Sequence, residues 1–177
     1  MSEVSFQIEV PLGPNWSHIE LLRTSVLHCL VTVFQNYDYC STLSMVAGEL
    51  LENAVKYGDW SRRDPRAFRL RVQGNETGVG VEVCNPIRRG SDAMKSVLEA
   101  ISASQSAESP AAAYQARITE IATTYQAGPD GSGLGLLRVA YEAGCTLEAF
   151  LEDDDILRVR ALSGPIPPTS FFDAANA

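Results

Sequence analysis

Glu49, Asn53 and either Lys56 or Tyr57 share one stripe if the run Glu49-Leu50-Leu51-Glu52-Asn53-Ala54-Val55-Lys56-Tyr57-Gly58 is helical, because residues three and four apart are neighbours on a helix surface. A carboxylate can accept a proton, a carboxamide offers a neutral oxygen to a hard cation, and an ammonium pairs with phosphate. Together they describe a nucleotide–magnesium site. Leu43, Val46, Ala47, Leu50 and Ala54 form a second, apolar stripe that must face a core. Taken alone, the pattern also describes a helix with a solvated outer face ended by Gly58.

A second stretch with chemical potential is Gly128-Pro129-Asp130-Gly131-Ser132-Gly133-Leu134-Gly135-Leu136-Leu137. Glycines at alternate positions lead into a helix predicted from Leu134 to about Glu142. Backbone N–H groups at such a helix start form an anion site. Glycines ahead of a helix also serve as simple flexible connections.

The elements that must position these residues follow from periodicity. Phe6, Ile8 and Val10 alternate with polar residues and predict a strand stopped by Pro11, Gly13 and Pro14. Ser17 and Glu20 have the form of a capping box, opening a helix with Ile19, Leu22, Val26, Leu30 and Val33 on one side. Tyr37 to Ser41 reads as the connection to the helix carrying Glu49. Phe68, Leu70 and Val72, then Val79, Val81 and Val83, predict a hairpin with one buried face. Leu147, Ala149 and Leu151, an acidic solvated turn at Glu152 to Asp155, and Leu157, Val159 and Ala161 predict a second pair.

Between them, Met94, Val97, Leu98 and Ile101 suggest a short helix. Ser102 to Ser109 reads as a mobile link. Pro110 opens a helix with Tyr114, Ile118, Ile121 and Tyr125 on one face. Strands and amphipathic helices in these proportions are buried most economically as an α+β fold. The expected form is a two-layer sandwich with helices packed on one face of a mostly antiparallel mixed sheet.

The chain has 177 residues, 45% hydrophobic and 20% charged, which suits one globular domain. We assign it to residues 1–165, with a tail at 166–177. A net charge of −8 argues against nucleic acid or an anionic membrane as the main partner. Cys29, Cys40, Cys84 and Cys145 make no C-x-x-C pair and read as buried thiols of a reducing compartment. His18 and His28 read as structural. With no apolar stretch of membrane-spanning length and no signal-like N-terminus, a cytoplasmic location is expected.

Glu49-x-x-x-Asn53-x-x-Lys56, followed some 75 residues later by Gly131-x-Gly133-x-Gly135-Leu136, resembles the N-box and later glycine box of the GHKL ATP-binding family. The likeness is greatest to its stand-alone anti-sigma factors and switch kinases. That resemblance implies ATP and Mg2+ as cofactors. Glu49 would be the general base, Asn53 the magnesium ligand and Lys56 a phosphate partner. Gly131, Gly133 and Gly135 would form a phosphate cradle and lid hinge, the lid covering about residues 88–135.

It also implies a small antagonist protein as the substrate whose serine or threonine is phosphorylated. A sigma factor or other effector, and a homodimer, are further associations of that branch. The first glycine box departs from the family: Asn85-Pro86-Ile87 stands where an Asp and a nearby Gly would meet adenine. Asn85 keeps an acceptor oxygen without negative charge. A serine/threonine kinase and a non-catalytic binding module with a degenerate nucleotide site therefore both stay open. A third reading, a detached sensor-kinase ATPase domain that phosphorylates histidine, is less attractive because the sequence shows no phospho-acceptor helix.

Overall fold

A computed structural model describes residues 6–11, 13, 15–61, 68–75, 77–88, 92–124, 133–152 and 155–165. The described elements are β1 (Phe6–Pro11), α1 (Trp16–Phe34), α2 (Tyr37–Tyr57), β2 (Arg69–Asn75), β3 (Gly78–Pro86), α3 (Ala93–Ser106), α4 (Pro110–Thr124), α5 (Leu134–Glu142), β4 (Thr146–Glu152) and β5 (Ile156–Leu162). The sheet order is β1-β2-β3-β5-β4, and each of its pairings is antiparallel. The fold is thus α+β in two layers, with no parallel pairing among the described strands.

Both long helices begin earlier than the pattern predicts, because asparagines cap them. Asn15, not Ser17, is the N-cap of α1, accepting from the Ser17 N–H at 3.0 Å, while Glu20 pairs with Arg23. Asn36 caps α2 by accepting from the Tyr39 N–H at 3.1 Å, and Gln35 turns the chain with φ of 55°. The connection is therefore Gln35-Asn36, and the expected link Tyr37 to Ser41 is already helix.

Helix α2 lies over β3 and packs on α1 and α5. Leu43, Val46, Leu50 and Leu51 are each at most 1% exposed, and burying such a side chain contributes roughly 1.5–3 kcal/mol. That apolar side fixes the rotation of α2 and so aims Glu49 and Asn53 away from the sheet. The helix ends at Gly58, whose N–H reaches the Ala54 carbonyl at 2.9 Å. Its φ of −67° and ψ of 142° are open to any residue, but a Cβ there would stand 2.5 Å from the Ala54 oxygen and 3.0 Å from Trp60 Nε1. Gly58→Ala should therefore destabilise the fold by about 1–3 kcal/mol through overpacking. A urea unfolding curve with an unchanged midpoint would contradict this.

The hairpin differs from expectation on its second face. In β3 the alternate residues Gly80, Glu82 and Cys84 are buried as well as Val79, Val81 and Val83. The register explains the covering: Glu9, Arg71, Glu82, Arg160 and Glu148 line up across all five strands with alternating charge. Arg71 pairs with Glu9 at 2.6 Å, and Glu82 lies 3.8 Å from Arg71 and 3.7 Å from Arg158. Long arginine stems thus roof the central strand while their heads satisfy its carboxylate.

The stretch expected as a mobile link is mostly helix. α3 continues through Ser106, with the Ser104 and Ser106 hydroxyls bonded to the carbonyls of Ile101 and Ser102. Residues 102–106 contain no glycine or proline to break the helix, leaving only residues 107–109 between α3 and α4. On α4 the buried residue is Ala113, whereas Ile118 is 43% exposed. Tyr125, Gly131 and the tail at 166–177 lie outside the described residues. Of the four cysteines, Cys40, Cys84 and Cys145 are buried as expected and Cys29 is exposed. Burial pushes the Cys145 thiol up to about 11. Among the described residues no helix is long and apolar enough to cross a membrane.

Candidate functional site

The last turns of α2 and the first turn of α5 face each other across a cavity of about 320 Å³. Glu49, Asn53 and Lys56 line one side, Gly133 and Gly135 the other, and Trp16 stands at its margin. The volume falls at the lower end of the range for small-molecule sites, roughly 300–1,000 Å³. Gly133, at the helix start, has φ of 61° and offers no side-chain cap. The first-turn N–H groups and the positive end of the helix dipole thus lie at the cavity.

Gly135 makes the closest approach. A Cβ at this position would lie 2.5 Å from Glu49 Oε2 and 3.9 Å from Asn53 Nδ2. The two motifs, separated widely in sequence, therefore meet at Gly135, where only a glycine leaves the carboxylate room. Glu49 Oε1 accepts from Arg138 Nη1 at 3.1 Å, and Arg138 Nε donates to Glu142 Oε2 at 2.8 Å. Burial raises the Glu49 carboxyl above its ordinary range and the Glu52 charge adds to this, while Arg138 pulls it down. Lys56 Nζ lies 5.2 Å from the Tyr57 ring centroid, a cation–π distance.

Asn85 is placed apart from these residues. It is 3% exposed on the helix-facing side of β3, its Nδ2 donates to the Pro86 carbonyl at 3.2 Å, and it does not line the cavity. Ile87 belongs to the hydrophobic core. A groove of about 610 Å³ between α3, α4 and α5 adjoins the site, sharing Tyr57, Ser96, Ala100 and Gly133 with it. A wider depression of about 670 Å³ lies by the β2–β3 turn, against Asn75, Thr77 and Arg160, away from the α2 stripe.

Arg138 escapes the sequence reading because its partner is 89 positions away. The available signal was its place three residues after Gly135, on the same face of α5. Glu52 and Trp16 also border the cavity without having been singled out. Among the described residues no group of three or more His, Cys, Asp and Glu side chains is placed to hold a metal ion. A hard cation here would take most of its ligands from phosphate oxygens and water, as magnesium commonly does.

No family model matches the chain. No curated protein matches its sequence. Among solved structures, it is similar to a chain of the SiaB–SiaC complex from Pseudomonas aeruginosa, with a TM-score of 0.61 and 20% identity, over 89% of this chain and 88% of that one. The likeness shows a shared fold.

Proposed function

We propose that the chain is a regulatory protein of the bacterial partner-switching type, which binds ATP with magnesium and phosphorylates a serine or threonine of a small antagonist protein. The observation that carries this reading is the meeting of Glu49 and Asn53 with Gly135 at the start of α5. It joins a base, a neutral oxygen ligand and a helix N-terminus in one cavity. The shared fold with a chain crystallised in a two-protein complex supports a protein partner.

The residues fit the phosphate half of such a ligand. Asn53 would take magnesium through its carboxamide oxygen, Lys56 would neutralise phosphate charge, and Gly133 to Leu136 would receive the outer phosphates. The nucleotide supplies a terminal phosphoryl group, and magnesium screens its charge. Glu49 accepts the proton of the attacking hydroxyl as the new oxygen–phosphorus bond forms and ADP departs. Asn53→Ala should abolish the magnesium-dependent part of ATP affinity while leaving the unfolding midpoint unchanged, because its partly buried amide is not among the core side chains. Equal affinity of variant and wild type in magnesium would remove Asn53 from the site.

A second reading is a non-catalytic module that binds its partner without nucleotide. The observation in its favour is Asn85, buried and bonded to the Pro86 carbonyl outside the cavity. Incubation with γ-labelled ATP and the protein that co-purifies with the chain separates the readings. Label on a serine or threonine of that protein supports the kinase; stable association without label supports the module.

A further inference from the structure

Glu49 is a half-buried carboxylate with negative charge on both sides, Glu52 on its own helix and Glu142 on α5. Desolvation and those neighbours disfavour its charged form beside α5. It is held there by Arg138, whose Nη1 takes Oε1 at 3.1 Å and whose Nε is anchored on Glu142 at 2.8 Å. The other oxygen, Oε2, makes no hydrogen bond among the described residues and lies against Gly135 beside Asn53. Residues 135 and 138 are one turn apart on α5, so the same face supplies both the space for the carboxylate and the cation that fixes it.

We infer that Arg138 is a positioning residue for the reaction: it occupies Oε1 and so presents Oε2 of Glu49 to the attacking hydroxyl, with Glu142 fixing the guanidinium. The inference rests on the role of Glu49 proposed above. Arg138 divides the donors of one planar fork between two carboxylates, which a lysine ammonium does not reproduce in geometry. The arrangement also separates catalysis from binding. Asn53, Lys56 and the start of α5 hold nucleotide, whereas Arg138 acts only through Glu49.

The experiment uses magnesium-ATP as the probe and follows its turnover by the intact chain, with water as acceptor. Arg138→Ala should lower kcat by about tenfold to a hundredfold, the loss expected for a misplaced catalytic group, with KM unchanged. Guanidinium ion added to Arg138→Ala should restore part of the rate. Glu142→Gln, which leaves the Arg138–Glu49 pair in place, should lose a few-fold and guards against a folding artefact. In a Glu49→Gln background, Arg138→Ala should add no further loss. A raised KM with unaltered kcat, or losses that multiply in the double variant, would overturn the inference while leaving the kinase reading standing. A wild-type chain that neither binds nor turns over magnesium-ATP overturns the kinase reading itself, and the role of Arg138 with it.

Discussion

Glu49→Gln is expected to bind ATP almost as wild type does and to transfer its terminal phosphate at a rate lower by about a hundredfold to ten-thousandfold, the usual cost of removing a positioned base. The substitution keeps the size of the side chain and an oxygen able to accept from Arg138, so the α2–α5 contact at 3.1 Å has a partner still. What it removes is the proton acceptor. Ground-state affinity depends instead on Asn53, Lys56 and the start of α5, which the variant leaves in place. Labelled phosphate transfer to the co-purifying protein, compared at matched ATP occupancy, reads the effect. Equal rates would take Glu49 out of the mechanism and leave it as an inter-helix ion-pair partner.

The second large effect is expected at Gly135. Its added Cβ would stand 2.5 Å from Glu49 Oε2, and that carboxylate is held from behind by Arg138, so it can yield only by leaving its place. A displacement of about 1 Å at a reacting group can cost on the order of a hundredfold in rate. Alanine is also a better helix former than glycine by about 1 kcal/mol. Gly135→Ala should thus lower transfer about a hundredfold while the thermal midpoint stays level or rises. Loss of stability together with activity would instead mean that Gly135 serves packing alone.

The apolar stripe of α2 was legible because Leu43, Val46, Ala47, Leu50 and Ala54 repeat at helical spacing and all are buried. The strands were legible from period-2 alternation in Leu70–Val72, Val79–Val83 and Leu157–Ala161. Pattern failed where a polar side chain overrode it. Asn15 and Asn36 satisfy helix-start N–H groups that the apolar periodicity does not register. The alanine- and serine-rich run of α3 resembles a linker in composition although its backbone is helical. The covering of Glu82 depends on register between strands, which no single strand encodes.

The site divides in the same way. Local spacing on α2 marked out Glu49, Asn53 and Lys56, and glycine spacing marked out Gly133 and Gly135; the structure brings these five to one cavity. Arg138 became visible only when α5 was laid against α2. Asn85, taken from a motif position, sits instead beneath the helices with its amide bonded to the neighbouring carbonyl. Gly131 lies outside the described residues.

The central claim is that the Glu49–Asn53–Gly135 cavity holds nucleotide with magnesium, and calorimetric titration of the purified chain with ATP, with and without magnesium, tests it most directly. Saturable binding is expected, strengthened by magnesium in the wild-type chain and without that strengthening in Asn53→Ala. Absence of binding by the wild-type chain at millimolar ATP with excess magnesium would contradict it.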